Sequence, residues 1–174
     1  LAASSLPNGG VYGPIGSWSV SNVSSMESLF RYAYYFNQPL GDWDTSSVTD
    51  MSDMFHDAPT FNQPLGNWDM SNVTDMSNMF SDADDFNQPL DNWDTSNVTN
   101  MSSMFRSADS FNSSISGWDV SSLTSKAYMF SYAYAFNQPL ESWNTSSWTS
   151  TARLFEDAPT FNQPLGNWDM SNVT

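Results

Sequence analysis

Apolar and polar positions recur along this chain every 25 residues, and that period organises everything else in it. Trp18, Trp43, Trp68, Trp93, Trp118, Trp143 and Trp168 form one column. The 12 Phe residues form two more: Phe30, Phe55, Phe80, Phe105, Phe130 and Phe155, then Phe36, Phe61, Phe86, Phe111, Phe136 and Phe161. No insertion breaks the register from Val11 to Thr174, which holds six full repeats and part of a seventh. Such a unit cannot bury its apolar face alone, so successive copies are expected to stack, with equivalent residues forming ladders through a shared core.

The clearest copy is FNQPLGNWDMSNVTDMSNMFSDADD, residues 61–85. In its first half Trp68 and Met70 alternate with polar Asn67, Asp69 and Ser71, as in a short strand buried on one face. In its second half Val73, Met76, Phe80 and Ala83 follow one stripe of a short helix, with Met79 beside it. Thr74 or Ser71 would supply the N-cap oxygen, Asp75 suits the positive first turn, and the Pro of the next FNQP requires the helix to have ended. The pattern therefore predicts a right-handed α/β solenoid with one short parallel strand and one short helix per turn. Residues 1–10 lack the Phe and Met columns and read as an N-terminal cap or its tail. Residues 11–174 read as the repeat array, a fragment of a longer one.

Composition narrows the functional classes. The chain has 174 residues, only 13% of them charged, with 19 acidic side chains against four basic ones and a net charge of -15. Such a surface repels phosphate backbones and anionic lipid, so nucleic acid is an unsuitable partner. No apolar run reaches the ~18 residues of a membrane span, so membrane insertion is not expected. With no cysteine, thiolate catalysis and zinc–thiolate sites are excluded. No nucleophile elbow, zincin motif or P-loop occurs, and His56, the sole histidine, reads as an exposed bystander. No enzymatic activity is expected, and no cofactor apart from calcium, considered below.

The pattern FNQPL-x-x-WD-x-S-x-VT-x-M-x-x-MF-x-x-A resembles the repeats of about 25 residues in mycoplasma lipoproteins and other microbial surface proteins, grouped with BspA-like leucine-rich repeats. LGNWDMSNV also follows the L-x-x-L-x-L-x-x-N spacing, with Trp and Met in Leu positions. The resemblance covers nearly the whole chain after Val11. It implies a leucine-rich-repeat-like fold, an extracellular or cell-surface location and a role in adhesion or binding, and it carries over no catalytic residue. Departures fall in two copies: FNSSI for FNQPL, Lys126 and Thr151 in the Met column, and Trp148 in the Val column. Trp148 is expected to fill the space that the missing Met side chain leaves at Thr151.

Several polar columns are candidates for function. On the expected strands Asp44, Asp69, Asp94, Asp119 and Asp169 point outward, with Asn144 in the same column, flanked by Ser46, Ser71, Ser96 and Ser121. This face is the expected binding surface for a protein or glycan. Carboxylates one copy apart repel, so either Ser hydroxyls bond them or Ca²⁺ bridges Asp44, Asp69, Asp94 and Asp119. Asn37, Asn62, Asn87, Asn112, Asn137 and Asn162 are expected to form an internal ladder, and the column from Thr49 to Thr149 to cap helices. Seven N-x-[ST] sequons, at Asn22, Asn72, Asn97, Asn100, Asn112, Asn144 and Asn172, are candidate glycosylation sites in a secretory eukaryote. The chain reads as a binding or adhesion module; the alternative is a structural block of a surface layer or filament, joined to itself end to end.

Overall fold

The computed structural model describes residues 13–174; the expected cap at 1–10 lies outside them. The copies stack as the period demands, but by neither of the expected elements. Among the described residues the only regular element is a 3-10 helix over Ile15–Ser17. These residues form no α-helix and no strand, only isolated parallel bridges at Ser25–Asp50, Asp50–Asp75, Asp75–Asn100 and Asn100–Ser125. The right-handed, leucine-rich-repeat-like α/β solenoid with a strand and a helix in each turn is therefore not the fold. Each copy is a chain of tight turns.

The apolar spacing explains the substitution of turns for helices. In a β-turn the first residue's carbonyl accepts from the amide three places on, which brings the two bracketing residues close together. The 61–85 copy contains Leu65–Trp68, Met70–Val73, Met76–Met79 and Phe80–Ala83 turns, closed at 3.0, 2.9, 3.2 and 3.2 Å. Every one of those eight bracketing residues is buried. An i, i+3 stripe thus serves a run of turns as well as it serves a helix.

The expected helix is instead where the copies are hydrogen-bonded to one another. The amides of Met76, Asn78, Phe80 and Asp82 donate to Asn100, Ser102, Met104 and Arg106 of the next copy at 2.8–2.9 Å. The intervening amides of Met79, Ser81 and Ala83 bond back within their own copy. This alternation places Asn78 and Asp82 at positive φ, 54° and 57°. Equivalent positions are Ser28, Asp53, Ser103, Asp57, Ser107 and Asp157, all left-handed, together with Tyr32, Tyr128, Tyr132 and Arg153. Short polar side chains, Asp and Asn above all, favour turns and bond to nearby backbone, which helps hold the chain out of a helix. A ten-residue helix would in any case be marginal by itself.

Stacked rings fill the core. Within a copy the two Phe columns pair face to face, as Phe80–Phe86 at 3.9 Å, and between copies Phe80–Phe105 are 5.7 Å apart. Each inner Trp donates its Nε1 to a carbonyl 28 residues back, Trp68 to Leu40 and Trp93 to Leu65, both at 3.0 Å. The Trp and Phe columns are buried in the inner copies, as expected, while Trp18, Phe155, Phe161 and Trp168 at the two ends of the stack are partly exposed.

The irregular copies meet at one joint. Trp148 is buried, 1% exposed, and its Nε1 reaches Val120 O at 3.2 Å. It packs edge-on against Trp143 and Trp168, and Lys126, in the Met column of the preceding copy, lies over its ring with Nζ 4.6 Å from the indole centroid. The fit costs backbone rungs. The amides of Lys126 and Thr149 lack the inter-copy bonds that their counterparts Met101 and Thr124 make, and Tyr128 N–Ala152 O lengthens to 3.3 Å.

Candidate functional site

The outward Asp column is built from local turns, not from a strand face. A carboxylate two residues before a Ser can accept that residue's amide and hydroxyl together, the Asx-turn arrangement. Asp69 Oδ1 accepts Ser71 N at 2.9 Å and Ser71 Oγ at 2.6 Å. Asp44 with Ser46, Asp94 with Ser96 and Asp119 with Ser121 repeat the pair of bonds, and Asn144 does so with Ser146. Asp169 accepts the amide of Ser171 at 2.9 Å, and its pKa is also lowered by that residue's hydroxyl. These bonds, the hydroxyl's first and the amide's second, hold Asp44, Asp69, Asp119 and Asp169 below the usual carboxylate range. Ser hydroxyls therefore supply the stabilisation for which calcium was the alternative. Among the described residues no three His, Asp or Glu side chains converge as a metal ion would need, so the structure does not gather Asp44, Asp69, Asp94 and Asp119 into a metal-binding group.

The other polar columns stitch copies together. Asn62 Oδ1 accepts Asn87 N at 3.1 Å and Gln88 Nε2 at 2.8 Å, and Asn37, Asn112 and Asn137 act alike. In the departing FNSSI copy Ser113 replaces Gln, and its hydroxyl keeps the bond to Asn87 Oδ1 at 2.9 Å. The expected Asn ladder is therefore present. The Thr column caps nothing, since no helix follows it; Thr74, Thr99 and Thr124 instead donate their hydroxyls to the preceding copy's Thr carbonyl. Three sequon amides do the same work, with Asn72, Asn97 and Asn172 donating Nδ2 to Ser46, Ser71 and Ser146 carbonyls. Asn100 donates to Asp75 Oδ2 at 3.0 Å. Asn112 lends its Oδ1 to the ladder, and Asn22 and Asn144 are exposed.

His56 differs from the expected bystander. It is half-buried, with Nδ1 2.9 Å from Asp53 Oδ1, and Arg31 lies 3.8 Å from the same oxygen. Two features escape a column-by-column reading of the sequence. Asp84 and Asp109 are raised above the usual carboxylate range, first by desolvation and then by neighbouring carboxylates, Asp109 and Asp82 for the former and Asp82 for the latter. A groove also runs along the Pro–Gly edge of the first copies. Its sequence signal is the column Gly16, Gly41, Gly66, which changes to Asp91, Ser116 and Glu141 farther along.

No curated protein and no solved structure matches the chain. The model of the family described as "Mycoplasma protein of unknown function, DUF285" matches residues 7–98 and again residues 87–174, as a repeat would, and the chain belongs to that family.

Proposed function

We propose that this chain is a non-enzymatic binding or adhesion module of an extracellular or cell-surface protein, engaging a protein or a glycan. The observation that carries the reading is repetition at the surface. Copy after copy presents the same exposed Asp, already bonded to its own Ser, at the same place on the stack. A repetitive partner could then engage several equivalent sites at once, so that weak single contacts multiply. The resemblance of the repeat to those of microbial surface proteins, BspA-like ones among them, supports the location. Immobilised chain probed by surface plasmon resonance against arrayed glycans and purified surface proteins should give saturable binding at physiological salt. Absence of binding across both sets, by a chain that still melts cooperatively, rejects the module.

The second reading is a structural block joined end to end. Backbone amides and carbonyls join neighbouring copies along the stack, and the same kind of bond between chains would join blocks. Light scattering at micromolar concentration separates the two: a binding module stays monomeric, and a block forms higher species.

A further inference from the structure

Where each copy turns after its FNQP segment, a groove of about 760 Å³ crosses four successive copies. Pro39, Pro64 and Pro89 line it at regular intervals, with Gly41 and Gly66 between them. Glycine leaves the neighbouring Pro carbonyls uncrowded. A Cβ on Gly41 would stand 3.1 Å from Pro64 O, and one on Gly66 3.2 Å from Pro89 O. Later copies carry Asp91, Ser116 and Glu141 in this column, so the fold accepts side chains there and their absence from the first copies shapes the surface.

The charge in the lining is of one sign. No protein donor reaches the carbonyls of Pro39, Pro64 and Pro89 among the described residues. Asp42 and Asp91 add carboxylates, and no lysine or arginine lines the groove. The chain's own cations are engaged elsewhere: Arg31 at Asp53, Arg106 at Asp82, Arg153 at Glu156, and Lys126 on the Trp148 ring. A groove whose only charged groups are carboxylates, on a molecule of net charge -15, suits a cationic occupant. Its length across four copies suits an extended one. Ammonium or guanidinium groups would bond the Pro carbonyls and the two carboxylates, and their methylene stems would lie on the Pro rings.

We propose that this groove binds an extended, basic peptide segment of a partner protein; the assignment rests on the binding-module reading and names the class of ligand and its place. The test uses the whole chain and a fluorescein-labelled peptide of alternating lysine and glycine, read by anisotropy at 0.15 M salt. Three double variants accompany the wild type: D42N/D91N, G41S/G66S, and E27Q/D85N as a charge-matched control at exposed residues outside the groove and off the Asp–Ser face. Ser116 and Asn67 show that other copies carry serine in the Gly column and asparagine in place of Asp42. D42N/D91N and G41S/G66S should each weaken binding at least tenfold, and E27Q/D85N less than twofold. Equal weakening by both charge-removing pairs overturns the groove and leaves diffuse charge attraction. Displacement of the peptide by a neutral oligosaccharide overturns the ligand class and keeps the module. Absence of peptide binding overturns the groove, and the surface-binding screen then decides the module by itself.

Discussion

A single side chain in this protein commonly serves two copies at once. The Asn ladder shows it best, because one Oδ1 satisfies a backbone amide and a side-chain amide of the following turn. Asn62→Ala should therefore destabilise the chain by about 0.5–1.5 kcal/mol, the usual net worth of an ordinary intramolecular hydrogen bond. Asn62→Asp keeps the acceptor and should cost much less; urea unfolding of both variants checks the difference. Lys126 is the opposite case, a cation that replaces methionine inside the stack and is only partly offset by the Trp148 face. Burial lowers its pKa, so folding disfavours the charged form. The penalty is present in full below the folded pKa and is relieved as pH rises from there toward the unfolded value. Lys126→Met should raise the melting midpoint at pH 7, and the gain should shrink as pH rises above the folded pKa. A midpoint that falls on substitution would mean that the cation–π contact outweighs desolvation.

At the scale of the element, turns and helices make opposite demands on the same positions. In a helix alanine is better than glycine by about 1 kcal/mol, whereas at positive φ glycine is the better residue. Asn78, at φ 54°, sits inside the stripe that reads as helical. Asn78→Gly should be near neutral, and Asn78→Ala should cost about 1 kcal/mol more than glycine does, measured by urea unfolding. The reverse order would restore the helix. This is also where sequence reading failed, for a physical reason. Met76, Met79, Phe80 and Ala83 satisfy helical spacing and β-turn spacing alike. What separates the two is whether alternate amides find acceptors in the next copy, and no window within one copy contains that information.

For the molecule as a whole, the stack must carry its negative charge. Asp84 and Asp109 are raised in pKa, so ionising them costs stability as pH climbs through the carboxylate range, and they are least costly when both states are protonated. Asp84→Asn with Asp109→Asn should raise the midpoint at pH 7 and leave it unchanged near pH 2–3. Asp44, Asp69, Asp119 and Asp169 have the opposite sign: their stabilisation is present above the ordinary carboxylate pKa and is lost as pH falls through their lowered values. Calorimetry across pH should therefore show the double variant losing its advantage over wild type just where the wild type begins to lose these Asp–Ser bonds.

The repeat length, the register, the buried aromatic columns and the Asn ladder could all be read from the sequence, because strict periodicity makes equivalent residues neighbours whatever the backbone does between them. The Asp–Ser bonds were legible too, since an Asp two places before a Ser is a local turn. Tertiary structure alone decided that the backbone runs in turns instead of a strand and a helix. It also paired Lys126 with Trp148 and opened a groove where three copies lack a Cβ. Each of these depends on contact between copies, where a hydrogen bond or a side-chain volume is shared by residues about 25 positions apart. A single repeat specifies which residues turn inward; only the stack of repeats settles where the backbone's remaining donors and acceptors go.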